Sequence, residues 1–427
     1  MKKNHPNPES LMMTHGYKPE LSEGAIKCPV FQTSTFVFNT AEEGKSFFEI
    51  AYGLRDKQPK EELGLIYSRI NNPNLEILEN RLCLWDKADD CAVFESGMSA
   101  ISTVLLEFLE PGDLLVYSNP TYGGTDHFIK HFLSKIGVHS LGIFPGQTNE
   151  EIISAIEDTN HADSLAMIYL ETPANPTNHL VDIQSVKENI AEYFSTINKK
   201  EVLVAVDNTY MGPIWQHPLQ FGADLIIYSA TKYIGGHSDV IAGAVLGNHE
   251  LMARVKTLRT FLGNMISPYT AWLLLRSLET LKVRMDKQAE NAQKVAEYLS
   301  NHPKVEKVYY LGLLEENDRD YKVYKKQCSG AGAMISFDII GGEKEAFQFL
   351  NELKLIKLAV SLGSTESLAQ HPNRMTHSGV DPELRLKLKI TDKMIRLSVG
   401  IEHYKDIISD ISQAFNAVVF SKQMSQH

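Results

Sequence analysis

The stretch Asp224-Leu225-Ile226-Ile227-Tyr228-Ser229-Ala230-Thr231-Lys232 decides the fold, because a short continuous apolar run ends in two hydroxyls and an amine. Apolar residues without alternation read as a strand buried on both faces, as in a parallel sheet covered by helices. Upstream, Val202-Leu203-Val204-Ala205-Val206 is a second such run, and it ends in Asp207. Leu165 to Leu170 and Leu114 to Tyr117 repeat the pattern, each followed by polar residues. In open α/β sheets, ligands bind beyond the carboxyl ends of the strands. That rule gathers Asn119 to Thr125, Glu171 to Asn175, Asp207 to Thr209 and Ser229 to Lys232 on one rim. An amine for a Schiff base, hydroxyls for a phosphate and an acid for a ring nitrogen are what pyridoxal phosphate requires of its protein.

Each rim residue has a chemical reading beside a plainer one. Lys232 follows a buried strand, where desolvation lowers an amine's pKa and favours the neutral nucleophile. Gly235 and Gly236 beyond it allow backbone to approach a ligand. Asp207 either caps the next turn or faces a pyridine nitrogen. In the second role, an opposite charge at about 4 Å with an effective dielectric of about 20 is worth roughly 4 kcal/mol. Ser96-Gly97-Met98-Ser99 leads into the helical run Ile101 to Leu109, and the unpaired N–H groups of such a start favour an anion. Ser229 and Thr231 add hydroxyls to the same task. Tyr122, before Gly123 and Gly124, either stacks on a flat ligand and exchanges protons or is a half-buried turn residue. Arg396, within Ile395-Arg396-Leu397-Ser398, is a natural carboxylate clamp, although the pattern alone favours an exposed salt bridge. His237, His371 and His377 show no metal-ligand spacing, so no metal site is expected.

Composition narrows the partners. The 427 residues are 43% hydrophobic and 22% charged, an ordinary globular make-up with room for two or three domains. With 42 basic against 53 acidic residues the formal charge is -11, which argues against nucleic acid and for a small-molecule partner. Cys28, Cys83, Cys91 and Cys328 form no CxxC pair and read as reduced thiols. Met1-Lys2-Lys3-Asn4-His5-Pro6 is not followed by the apolar stretch of a signal peptide, and no run approaches the roughly 20 apolar residues of a membrane span. A cytoplasmic protein is expected.

Farther along, Ser267-Pro268 opens a long amphipathic helix, with Leu274, Leu278, Leu281 and Met285 at steps of four and three and the stripe continuing through Ala292, Val295 and Leu299. A strand near Ala333 to Ile339, a helix near Lys344 to Leu353 and a last helix from Tyr404 to Phe420 give an α+β tail. The first 70 or so residues lack a core pattern and read as an arm. The expected division is 1–71 as arm, 72–283 as the large cofactor domain and 284–427 as the small domain.

Taken together, these motifs resemble the pyridoxal phosphate enzymes of cysteine and methionine metabolism, the transsulfuration family of cystathionine lyases, cystathionine gamma-synthase and methionine gamma-lyase. The likeness rests on Tyr67-Ser68-Arg69 with Asn72-Pro73, Ser96-Gly97-Met98, Tyr122 to Thr125, Thr172 to Pro176, Asp207-Asn208-Thr209 and Ser229 to Tyr233. It implies a fold type I, aspartate aminotransferase-like subunit: a mostly parallel central sheet with a smaller α+β carboxyl-terminal domain. Lys232 is then the Schiff-base lysine, Asp207 faces the ring nitrogen and Tyr122 stacks on the ring. Ser96, Gly97, Met98, Ser229 and Thr231 hold phosphate, joined by Tyr67 and Arg69 reaching into the neighbouring subunit of a tetramer built from two dimers. Asn175, Ser361 and Arg396 hold the substrate carboxylate, which overrules the salt-bridge reading of Arg396. The implied reaction eliminates a thiol from cystathionine, methionine or a related thioether, giving a keto acid and ammonia. The alternative is gamma-replacement, as in cystathionine gamma-synthase or an O-acylhomoserine sulfhydrylase. Val360 stands where cystathionine gamma-lyases and synthases commonly have glutamate, Gly124 where methionine gamma-lyases often have cysteine, and Ser364 where the family usually has glycine. The segment Tyr52 to Leu65 is lengthened.

Overall fold

A computed structural model of the chain describes residues 6–58, 61, 63–198 and 200–419. Met1 to His5 of the start read as no signal peptide, the positions Pro59, Lys60 and Glu62 of the lengthened segment, and the last helix's expected end at Phe420 lie outside the described residues.

Seven strands form the larger sheet: β1 (Asp90–Phe94), β2 (Leu114–Ser118), β3 (His139–Ile143), β4 (Leu165–Glu171), β5 (Leu203–Asp207), β6 (Leu225–Tyr228) and β7 (Gly243–Gly247). Their order is β1-β7-β6-β5-β4-β2-β3. Strands β3, β2, β4, β5 and β6 run parallel, and β7 runs antiparallel between β6 and β1. The four strands expected from apolar runs are β2, β4, β5 and β6, and every residue in them is buried. The reason is visible along β5, where Leu203 and Ala205 enter one core and Val204 and Val206 the opposite one. Alternation carries no polar signal when both faces are covered.

The smaller sheet holds β8 (Val305–Tyr309), β9 (Met334–Ile339), β10 (Lys357–Leu358), β11 (Leu368–Gln370) and β12 (Met394–Ser398), in the order β10-β11-β12-β9-β8. The expected strand near Ala333 is β9, and the two expected helices span Glu343–Glu352 and Tyr404–Ala417. Phe349 of the first lies 4.5 Å from Phe415 of the second, ring centre to ring centre, closing the core over Phe337.

Two expectations need correction. The stripe from Pro268 to Leu299 is two helices, Pro268–Leu278 and Leu281–Ser300, interrupted at Glu279 and Thr280. At the break the Ser277 carbonyl accepts from Thr280 N at 3.2 Å and from Arg284 Nη2 at 3.1 Å. The apolar residues stay in step across it, so periodicity alone does not reveal it. Nor is the whole amino-terminal region coreless. Met12 is buried against the chain's own body, Phe31 N donates to Asn74 Oδ1 at 2.8 Å, and Trp272 Nε1 donates to the Cys28 carbonyl at 3.0 Å. The exposed portion comes later, with Val37 at 95% exposure and a separate helix at Ala41–Ala51.

Candidate active site

At the carboxyl ends of the parallel strands lies a cavity of about 300 Å³. Ser96, Gly97, Met98, Tyr122 and Asn175 line it from one side of the rim. Asp207, Ser229, Thr231 and Lys232 line it from the neighbouring strand ends, and Ser361 and Arg396 reach in from the smaller sheet's side. Eleven residues named from the sequence thus converge on one space. Tyr67 and Arg69 do not line it: Arg69 Nη1 donates to the Thr260 carbonyl at 2.8 Å and its guanidinium lies 5.9 Å from the Tyr67 ring centre.

Lys232 Nζ donates to Ser361 Oγ at 3.0 Å. Burial, with the nearby Arg396 charge, brings this amine down to about 8. The expectation that Gly235 and Gly236 admit a ligand is not met. A side chain at Gly236 would strike Arg284 Nη1 at 1.8 Å, and one at Gly235 would meet Val240 at 2.8 Å. These glycines make room for the protein's own packing.

Asp207 ends β5 beside Glu171 of β4, its partner in the ladder. Its Oδ1 accepts from Thr209 N at 3.0 Å and its Oδ2 from the Tyr169 hydroxyl at 3.1 Å. Burial raises its pKa, and the donors from Thr209 and Tyr169 only partly offset this. A cation at the cavity side is what such a carboxyl lacks.

The helix Gly97–Phe108 begins here, with Ser96 Oγ capping Ser99 N at 3.0 Å and the first amides directed into the rim. Position 97 must be glycine, since an added Cβ would lie 2.8 Å from the Ser229 Cβ. Ser229 N is held by Thr209 Oγ1 at 2.8 Å, and Thr231 Oγ1 is tied to both N and O of Ala242 at 3.0 and 3.2 Å. Tyr122 stands at the mouth, before the helix Gly123–His131. A Cβ at Gly124 would press within 2.6 Å of its ring and 3.1 Å of Met98 Sδ, so a larger residue at 124 moves the ring.

Arg396 is 3% exposed and has no carboxylate partner among the described residues. Its Nη1 donates to Asn175 Oδ1 at 3.0 Å and its Nη2 to the Ser361 carbonyl at 2.8 Å. With its amide oxygen turned inward, Gln370, opposite it on β11, accepts from Nη1, Nη2 and Nε at 3.0, 2.9 and 3.0 Å. A buried guanidinium held only by neutral groups is prepared for an anion. The exposed salt bridge that the pattern favoured is absent because β12 lies inside the smaller sheet.

Reading motifs singly left Glu171, Thr209, Tyr210, Ile241, Leu362 and Thr376 without a role, yet all line the cavity. Glu171 and Thr209 belonged to rim segments already quoted, whereas Ile241 and Thr376 come from loops that no local pattern connects to the rim. His237, His371 and His377 are separately engaged, by the Gly235 carbonyl, the Asp392 carbonyl and Thr376 Oγ1. No cluster of three metal-ligating side chains occurs among the described residues. All four cysteines are free thiols. Ser364, at the family's usual glycine, is buried, with its hydroxyl accepting from Ser238 Oγ at 2.8 Å and its carbonyl from Gln288 Nε2 at 2.7 Å.

These residues suit pyridoxal phosphate: helix-start amides beside a close-approach glycine for the phosphate, an uncompensated acid, a partly neutral amine, and a lone buried cation for a carboxylate. The chain matches the family described as Cys/Met metabolism PLP-dependent enzyme over residues 9–416. It is 39% identical over 398 residues to L-methionine gamma-lyase of Fusobacterium nucleatum subsp. polymorphum, spanning 92% of this chain and 94% of that one. Against cystathionine gamma-lyase of Bacillus subtilis (strain 168) it is 37% identical over 413 residues, 96% of this chain and 99% of that one. The crystal structure of cystathionine gamma synthase from Xanthomonas oryzae pv. oryzae in complex with aminoacrylate and cysteine matches with a TM-score of 0.85 at 31% identity, over 97% of this chain and 99% of that chain. The two-sheet subunit is therefore a fold type I, aspartate aminotransferase-like one, and the chain belongs to the Cys/Met metabolism family of pyridoxal phosphate-dependent enzymes.

Proposed function

We propose that this carbon–sulfur lyase performs gamma-elimination on a methionine-type thioether, releasing a thiol, a 2-keto acid and ammonia. The observation that carries the reading is the distribution of charge in the cavity. Its ionisable acids and bases, Glu171, Asp207, Lys232 and Arg396, are buried or half-buried in its depth, while Ile241 and Val360 present apolar side chains at the mouth, 68% and 59% exposed. A thioether ending in an alkyl group gains from that mouth. Cystathionine would place a second ammonium and carboxylate there with no charged lining residue to receive them. The names of the relatives, methionine gamma-lyase and cystathionine gamma-lyase, support elimination over replacement.

Bound pyridoxal phosphate supplies the electron sink that lets a proton leave the substrate's alpha carbon. The protein's share is binding, orientation and proton movement. Arg396, with Asn175 and Ser361, holds the substrate carboxylate and so fixes which bond at the alpha carbon points toward Lys232. The Lys232 amine, aimed by Ser361 Oγ, takes the alpha proton and then moves a beta proton. Tyr122, at the mouth, would pack on the bound ring and give its phenolic proton to the departing sulfur. Asp207 keeps the ring nitrogen protonated. Ser96, Gly97, Met98, Ser229 and Thr231 hold the phosphate. We assign residues 72–283 to the cofactor domain, 284–427 to the small domain and 1–71 to an arm. In this reading Tyr67 and Arg69 complete the phosphate site of a neighbouring subunit in a cytoplasmic homotetramer.

The test is a substrate panel on the purified holoenzyme. Release of 2-oxobutyrate from methionine should exceed that from cystathionine by about tenfold in kcat/KM, in line with the small discrimination that an apolar pocket provides. Faster thiol-dependent product from O-acetylhomoserine than any keto acid release would instead establish the replacement reaction.

A further inference from the structure

One buried acid on the rim has no part in the roles above. Glu171 lines the cavity beside Asp207, and both side chains are almost wholly buried. As ladder partners on neighbouring strands, about 4.8 Å apart, the two residues set their acids side by side, and neighbouring carboxylates in a dry site resist ionising together. Neither cavity cation forms an ion pair with Glu171 or Asp207 among the described residues: Lys232 donates to Ser361, and Arg396 to Asn175 and the Ser361 carbonyl.

The donors divide the two acids differently. Asp207 receives one donor on each oxygen, from Thr209 N and the Tyr169 hydroxyl. On Glu171 the bonds from Tyr122 N at 2.6 Å and Thr121 Oγ1 at 3.1 Å both fall on Oε2. The Asn175 backbone N–H faces the same carboxyl, and two donors gathered on one oxygen leave the other able to carry a hydrogen. The bonded amide belongs to the residue whose ring guards the mouth.

We propose that Glu171 is a positioning residue of this enzyme: a neutral carboxylic acid that anchors the Tyr122 loop, leaving Asp207 as the only negative charge toward the cofactor ring. The inference rests on the cavity taking pyridoxal phosphate. Burial first, and then the Asp207 charge, push the Glu171 carboxyl up to about 8 against the pull of Tyr122, Thr121 and Asn175. The other titratable groups facing it are Tyr169 on its own strand, Tyr210 and Arg396, with Lys232 and Tyr122 across the cavity.

Glu171→Gln keeps the accepting oxygen without a charge, and Glu171→Ala removes it. Each would be compared with the wild-type holoenzyme for the pH midpoint of the cofactor's visible band, cofactor affinity and kcat/KM on methionine. Glu171→Ala should lower kcat/KM about 100-fold by loosening Tyr122. Glu171→Gln should recover at least a tenth of the wild-type value and keep the band's midpoint within about 0.3 pH unit. A midpoint moved by about one unit or more in Glu171→Gln, the mark of a lost negative charge, overturns the proposal. So does a Glu171→Gln protein that fails to hold cofactor, or wild-type kcat/KM in Glu171→Ala. A wild-type protein with no visible band after reconstitution would overturn the cofactor reading and this proposal with it, whereas the variant outcomes above, seen beside a normal wild-type band, overturn the Glu171 role alone.

Discussion

On the floor of the cavity, Asp207, Glu171 and Ser229 stand at or just beyond the ends of adjacent strands, and backbone register fixes where they point. At the mouth, Ile241 and Val360 come from separate loops and are largely exposed. The floor cannot move one residue without displacing its neighbours, whereas the mouth can change side chains without touching the sheet. In the proposed function the alpha-carbon chemistry therefore rests on the rigid region and substrate choice on the permissive one, and substitutions should separate the two.

The largest effect should follow Lys232→Ala. The variant keeps the fold, loses the yellow colour and drops at least about 10⁴-fold in activity, the upper range for a positioned acid–base group. Borohydride reduction of wild-type protein, followed by peptide mass analysis, should label Lys232. Label on another lysine would show that the floor has been misassigned. Next in size is Arg396→Ala. Removing one partner of a buried charge interaction costs about 3 to 5 kcal/mol, so KM should rise by roughly 150- to 5000-fold with a smaller change in kcat. An unchanged KM would move the carboxylate site elsewhere. Smaller still is Val360→Glu at the mouth. A partly exposed charge contributes about 1 kcal/mol, so the methionine-to-cystathionine ratio of kcat/KM should fall by about five- to tenfold toward the substrate with a distal ammonium. If this variant instead loses cofactor, floor and mouth are not independent.

The same contrast explains what the sequence makes legible. Strands β2, β4, β5 and β6 are unbroken apolar runs, and the strand-end rule alone collects Lys232, Asp207 and Ser229 on one rim. Strand β7 escapes because Gly243 and Gly247 bracket its apolar run, and those glycines are there for close packing: a Cβ at Gly243 would meet the Ser96 carbonyl at 2.2 Å. The helix break at Thr280 is silent because Leu278 and Leu281 stay on one face. Ile241 and Thr376 become site residues only when the loops that carry them are folded over the rim, which no local pattern encodes. The burial of Arg396 escapes its strand pattern, because it depends on β9 and β11 flanking β12.

The smallest effect concerns the amine itself. A lysine at its ordinary value of 10.5 is almost wholly protonated at neutral pH, whereas burial and the Arg396 charge bring Lys232 down to about 8 in the cofactor-free protein. Below that value the side chain is an ammonium ion and cannot attack an aldehyde. Above it the neutral amine predominates, so the rate of covalent capture of added pyridoxal phosphate should rise with pH and level off. At pH 7 the rate should be about a tenth of the plateau, and half of it near pH 8. Rapid-mixing absorbance measurements on cofactor-free protein read this directly. Replacing Arg396 with leucine removes a like charge, so the midpoint should move upward yet stay below that of a solvated lysine, since burial, the larger cause, is retained. A midpoint near 10 in the wild-type protein would mean that the floor does not prepare its amine, and the division between a rigid chemical floor and a permissive mouth would lose its strongest electrostatic support.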